Sequence, residues 1–349
     1  MDTFCVLPWY SSELPDNRPC CWMAKDANID QVKKDLLAGV KSPACAKCWQ
    51  LEQLDKSSRR QLENQSLNHK LNQGLEQLKE SCEQGLNQTV LYQITTSNLC
   101  NQACVSCNSK ASTKWAEIET RMTMSPWVDI GVKVDSWIPY PYTYVDPNDL
   151  DINYQTARRI SFLGGEPFYD SATFRILEKL IAAKNHDCFI SIVTNGSVTL
   201  NTAQIQLLQQ FTDLNICISI DGTGPVFEYM RWPGNWNQLV INLKQYKTIT
   251  ENISVSYTIS ALNVFYHEQT VEWFERNNLK FNYNTVSWPS WLALSNTPTV
   301  LRNNQFVQDF CKDDVGIDHF VKYIENQDRA KRIHIKDYMP EVAALIGLA

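Results

Sequence analysis

The densest chemistry in the chain is a trio of cysteines spaced as Cys100-x3-Cys104-x2-Cys107. Thiolates so spaced on one loop can hold three irons of a cubane and leave the fourth iron open to a small molecule. Zinc is an alternative, but structural zinc normally takes four protein ligands, and no His accompanies these three. Three unrelated cysteines are the bland reading. Of the twelve cysteines, five more lie in the first fifty residues, as Cys5 with Cys20-Cys21 and Cys45 with Cys48. Cys82, Cys188, Cys217 and Cys311 stand alone; Cys188 and Cys217, in or beside apolar strands, read as small buried hydrophobes. The N-terminus lacks a basic-then-apolar export signal. In a reducing compartment, close cysteine pairs more often hold metal or do redox work. The expected location is cytoplasmic.

The elements that must position these residues form a repeated strand-then-helix pattern from about residue 90. Strands are expected at Val90–Thr96, Arg159–Leu163, Phe189–Thr194, Leu214–Ile220, Ile253–Ile259 and Leu279–Val286. Helices are expected at Lys114–Arg121, Thr173–Ala183, Thr202–Phe211, Asn237–Thr248 and His267–Asn277. Six such strands imply an α/β fold, a parallel sheet with right-handed crossovers, open or closed into a partial (β/α)6 TIM-like barrel. Chemistry in such barrels sits on loops leaving the C-terminal strand ends, which is where Cys100 begins. The expected division is residues 1–85 as a cysteine-containing segment with a polar helical run over 50–83, 86–300 as the barrel, and 301–349 as a C-terminal helical extension. An insertion at 122–157, rich in aromatics and proline (Trp127, Trp137, Tyr140, Tyr142, Tyr144), reads as an ordered lid.

The remaining strand ends carry short motifs in register. The second ends in Gly164-Gly165-Glu166-Pro167; paired glycines let backbone approach a ligand, and a carboxylate suits an ammonium. The third ends in Thr194-Asn195-Gly196-Ser197, the fourth in Ser219-Ile-Asp221-Gly222, with Arg231 downstream; Asn263 follows the fifth. Each alone is a common turn signal. Together, over about residues 90–265, they resemble the radical S-adenosylmethionine (SAM) superfamily. The resemblance implies that Cys100, Cys104 and Cys107 hold a [4Fe–4S] cluster that cleaves SAM reductively, giving a 5′-deoxyadenosyl radical that abstracts hydrogen from a substrate. It implies that Gly164, Gly165, Glu166 and Pro167 meet the SAM amino group. Asn195 and Ser197 would lie near the ribose, with Ser219 and Asp221 in the next motif. Arg231 would take the carboxylate, whose two oxygens suit a fork of donors, and Asn263 would sit near adenosine. Ser106 stands where the family often has an aromatic residue, which leaves the nucleobase contact open.

The N-terminal cysteines, with Asn28–Ile29 and Leu36–Leu37, look like a SPASM/twitch-type auxiliary-cluster segment placed before the barrel. That resemblance implies a short β-hairpin plus helix, and a second [4Fe–4S] cluster near the barrel mouth on Cys5, Cys20 or Cys21, Cys45 and Cys48. Zinc remains the alternative for four thiolates. Spacing does not choose between Cys20 and Cys21.

For substrate, Asn284, Trp288 and Trp291 are expected at the open barrel mouth, although buried core is the commoner fate of Trp. Auxiliary-cluster members of the resembled group often modify peptides, so the expected substrate is a peptide, with a small metabolite as the alternative. A non-catalytic iron–sulfur protein is a third reading, against which the intact Glu166 motif and Arg231 stand. The expected electron donor is a flavodoxin or ferredoxin. A net charge of −6 gives no general attraction to nucleic acid, and no apolar run is long enough to span a membrane.

Overall fold

The computed structural model describes residues 3–121, 139–287, 289–311 and 317–349. Seven strands form one parallel sheet in chain order: β1 (Ser11–Leu14), β2 (Leu91–Ile94), β3 (Arg159–Phe162), β4 (Phe189–Thr194), β5 (Leu214–Ser219), β6 (Ile253–Ile259) and β7 (Lys280–Thr285). This is the α/β architecture of a partial TIM-like barrel. The six strands expected from the sequence are β2 to β7. β1 is additional, and it comes from the N-terminal cysteine segment. It runs parallel to β2, with Ser11 opposite Leu91 and Leu14 opposite Ile94. Four residues reading Ser-Ser-Glu-Leu carry too little alternation to announce a strand.

The sheet has two unlike faces. Ile190 and Ile192 of β4, Leu214, Ile216 and Ile218 of β5, and Val255, Tyr257 and Ile259 of β6 are buried in alternation. They share one core with Ile176, Leu177 and Leu180 of the Ser171–Ala182 helix, Leu243 and Tyr246 of Trp236–Tyr246, and Phe274 of His267–Arg276. Burying one such side chain contributes about 1.5–3 kcal/mol, so this face fixes the register. The other face carries Ser161, Ser191, Asn215, Cys217, Ser254 and Ser256, all half-buried. β7 is largely exposed.

The polar run over 50–83 is not one helix. It is broken into Ala46–Gln53, Arg59–Leu71 and Leu75–Glu83, where Asp55 and Asn72 take positive φ angles of 52° and 51°. The hairpin expected near Asn28 is absent among the described residues; Asn28 instead caps the helix Ile29–Leu37 by accepting from Gln31 N. The chain reversal lies earlier, where Glu13 and Arg18 pair antiparallel. Helices Gln305–Phe310, Asp318–Lys331 and Pro340–Leu345 follow β7. Phe320, Tyr323, Ile324, Ile335, Met339 and Val342 build a second core that also takes in Val105 from the cysteine loop. No described helix is long and apolar enough to cross a membrane.

Candidate functional site

The loop leaving β2 folds back on the end of the Pro225–Met230 helix. Ala103 N donates to Trp232 O at 2.6 Å and Val105 N to Met230 O at 2.8 Å. Ser112 caps the Thr113–Glu119 helix and donates to Gln102 O at 2.5 Å, while Trp115 Nε1 donates to Cys104 O at 2.7 Å. These bonds give the loop one shape and hold Cys100, Cys104 and Cys107 on one cavity of about 230 Å³. Cys100 and Cys104 are buried and Cys107 is half-buried. Burial pushes the Cys100 thiol up to about 12, with the neighbouring Cys104 adding to it. Cys104 and Cys107 are raised by the same desolvation.

The exit of β3 presses against the entry to that loop. A Cβ on Gly165 would lie 2.1 Å from Leu99 O, and one on Gly164, whose φ is 113°, would lie 2.7 Å from Thr95 Cγ2. The two glycines therefore admit the backbone of the cysteine loop itself, not only a ligand. Glu166 lies behind the cavity and is 1% exposed. Its carboxylate accepts from Thr194 Oγ1 at 2.6 Å, Asn195 N at 2.6 Å and Phe168 N at 3.0 Å. Burial outweighs these donors and pushes its pKa up to about 7. Glu166 ties β3 to β4 through these bonds. Pro167 is buried beside it.

From β4, Asn195 lines the cavity and points Nδ2 at Cys100 Sγ, 3.8 Å away. Asn195 and Ser197 both bond Asn101 of the cysteine loop. Ser219, ending β5, also faces the cavity. Asp221 is 1% exposed and pairs with Arg231 Nη2 at 2.8 Å. Arg231 Nη1 lies 3.7 Å from Cys104 Sγ, and its buried Nε has no hydrogen-bond partner. Burial works to discharge this guanidinium, but Asp221 and Cys104 hold it protonated. Asn263 is fully buried and fully used: it accepts from Ser260 N and donates to Asp221 O and Thr258 O. It ties β5 to β6.

Whether these residues fit a SAM-binding cluster can be tested on the donors. Three thiols face one cavity, N–H donors from Asn195 and Arg231 point at two of the sulfurs, and Arg231 Nε and Gln102 Nε2 are buried without partners. The set fits. Among the described residues no group of three or more His, Cys, Asp or Glu is drawn in tightly enough to hold a metal ion; a cubane asks for a wider frame, with each thiolate on its own iron. A larger groove of about 450 Å³ lies by the starts of β1 and β2, lined by Ser11, Ser12, Lys33, Tyr92 and Asp151. It brings no cysteine, so size does not select it as the reaction site.

Sequence reasoning missed one buried basic residue packed behind the cysteine loop. Lys331, ending the Asp318–Lys331 helix, is 4% exposed and stands over the Trp115 ring, 4.9 Å from its centroid. Burial lowers its pKa to about 7 against the opposing influence of Cys104. No local motif marks a residue brought in from more than two hundred positions away.

Cys5, Cys20, Cys45 and Cys48 converge on a small cavity with Leu7, Trp22 and Met23. Cys5 and Cys20 are buried, whereas Cys21 is exposed and contacts Arg59. Cys20, not Cys21, faces the other three. Burial raises Cys5 well above its ordinary value, and pushes Cys45 up to about 11. Val90 and Leu91, at the start of β2, belong to the same apolar cluster. Cys5 precedes β1, and the Glu13–Arg18 reversal returns Cys20 to the level of that strand's start. The group therefore sits by the strand beginnings, not at the barrel mouth as expected; Cys100 follows the opposite end.

Trp291 is buried and packs on Tyr323 in the second core, so it is not a mouth residue. Asn284 is exposed on β7. Trp288 lies outside the described residues, as do Trp127 and Trp137 of the insertion. The described end of that insertion crosses the cysteine loop: Tyr140 N donates to Ser109 Oγ and Thr143 N to Asn98 Oδ1, with Tyr140, Tyr142 and Tyr144 exposed.

No family model and no curated protein matches the chain. Similar solved structures include native anSMEcpe with bound AdoMet and Cp18Cys peptide, at 15% identity and a TM-score of 0.37, over 58% of this chain and 54% of that one. Streptococcus suis SuiB bound to S-adenosylmethionine gives 14% identity and 0.39, over 72% and 53%. TYW1 with a lysine-pyruvate adduct bound gives 12% and 0.33, over 66% and 69%. The chain thus spans about half the length of the first two.

Proposed function

We propose that this chain is a radical SAM enzyme. The observation that supports it is the convergence of Cys100, Cys104 and Cys107 with the exits of β3, β4 and β5 and with Arg231 on one cavity. A [4Fe–4S] cluster on the three thiolates would supply the electron for reductive cleavage of SAM, the source of a 5′-deoxyadenosyl radical. The chain's own residues do the positioning. Arg231, fixed by Asp221, offers its unpartnered Nε to a carboxylate. Gly164 and Gly165 offer backbone to an ammonium, and Asn195 and Ser219 offer polar atoms to a ribose. Glu166 and Asn263 keep the strand exits in register, so these groups are already in place when SAM arrives. The direct test is anaerobic reconstitution with iron and sulfide, then reduction with dithionite in the presence of SAM. 5′-Deoxyadenosine is the expected product, and its absence from iron-loaded protein overturns the reading.

The proposed substrate is a peptide. What supports this reading is that Tyr140, Tyr142 and Tyr144 stand exposed beside the cysteine loop, aromatic surface that an extended chain could lie along. A peptide mass change dependent on SAM and reductant tests this, with flavodoxin or ferredoxin as the physiological donor. Cys5, Cys20, Cys45 and Cys48 form a second metal site in this reading, four thiolates for a closed [4Fe–4S] cluster. At the strand beginnings it would serve structure or electron entry and not substrate contact.

A further inference from the structure

Lys331 is a buried amine without a carboxylate within salt-bridge distance among the described residues. Its hydrogen bond is to Gln327 Oε1 at 2.5 Å, and its Nζ faces the Trp115 ring. Asp328, one turn back, is already engaged by Tyr229 OH at 2.7 Å and Ile335 N at 2.7 Å. Burying an unpaired charge is costly unless an opposite charge lies near. The groups of potential negative charge that its field reaches are Cys104, Asp328 and Cys107. The surrounding packing fixes that placement. Ala330 is buried against Ala103, Trp115 and Ile118, with Cys107 alongside, and Tyr323 OH donates to Val105 O at 2.9 Å. The helix that carries Lys331 is thus tied to the cysteine loop at its middle and near its C-terminal end. Arg231 also approaches Cys104, but its charge is matched by Asp221; Lys331 has no such match.

We infer that Lys331 is a positioning residue for the cluster proposed on Cys100, Cys104 and Cys107, its protonated amine favouring the state that carries one more electron. The inference rests on the proposed function. Net charge and the surroundings of the sulfurs are among the influences that set such potentials. A unit charge at this kind of depth changes the reduction equilibrium roughly tenfold or more.

The test is an EPR-monitored redox titration of the full-length, iron-loaded chain. Lys331→Met should lower the equilibrium constant for reduction about tenfold, which is about 59 mV for a one-electron couple. Lys331→Arg, which keeps the charge, should stay near wild type, and iron content should not change. If the methionine variant does not fold, Lys331→Gln, which keeps length and polarity, carries the same expectation. An unchanged midpoint in a folded, iron-loaded neutral variant overturns the inference. Wild-type protein that binds no SAM-cleaving cluster overturns the proposed function instead, so the two failures are distinguishable.

Discussion

The two cysteine groups of this chain are built on opposite plans. At the strand ends, Cys100, Cys104 and Cys107 look into a cavity whose other walls are glycine backbone, amide and guanidinium. At the strand beginnings, Cys5, Cys20, Cys45 and Cys48 look inward at one another, packed by Leu7, Trp22 and Met23. The first plan leaves space for a guest; the second closes over whatever the thiols hold. Ligand count and surroundings together, not cysteine content, separate a reacting site from a closed one.

The strongest way to break this comparison is to remove the three mouth cysteines. Cys100→Ala with Cys104→Ala and Cys107→Ala should abolish 5′-deoxyadenosine formation and lower iron from about eight to about four atoms per chain, if both sites hold cubanes. Undiminished product in the triple variant would end the central proposal. The converse change, Cys45→Ala with Cys48→Ala, should remove the metal proposed at the inner site and loosen residues 1–85 to proteolysis, because metal binding to such a segment is coupled to its folding. Cys21→Ser, which faces Arg59 and not the cavity, should leave metal content unchanged. Four irons with one stoichiometric zinc in the wild type would keep the mouth site and replace the inner cluster.

Smaller effects sharpen the mouth itself. Arg231→Ala removes a charge-assisted contact costing about 1.5–3 kcal/mol, so SAM affinity, measured by equilibrium dialysis, should fall roughly ten- to a hundredfold. Glu166→Gln should instead lower the thermal midpoint with a lesser effect on affinity, since Glu166 lies behind the cavity. The smallest effect is in pH dependence. The folded pKa of Glu166 is raised from 4.5 to about 7, so the fold holds this proton more tightly than the unfolded chain. Its contribution to stability is then fully present below about 4.5, declines as pH rises, and is gone above about 7. In Glu166→Gln, denaturant midpoints should show a flatter slope across that window.

The sequence made β2 to β7 legible because each strand was long enough to alternate, as in Ile253–Ile259, or ended in a motif. It made the mouth cysteines legible because they lie within eight residues. For Glu166 and Asn263 a motif names the residue without saying which way its side chain turns, and both side chains bond neighbouring strand exits. Trp291 went to core for the reason most tryptophans do. Lys331 was invisible because its meaning depends on a helix docking far from it in sequence.

β1 has a consequence for anyone who would shorten this protein. It covers the outer edge of β2 with a parallel strand, and its residues belong to the same stretch of chain that gathers the inner cysteines. A version starting at residue 86 would lose that cover and leave a row of unpaired N–H and C=O groups along β2, a template for intermolecular pairing. Residues 1–85 are therefore not a detachable accessory: their removal should show first as poor solubility, before any change in the chemistry at the opposite end of the strands.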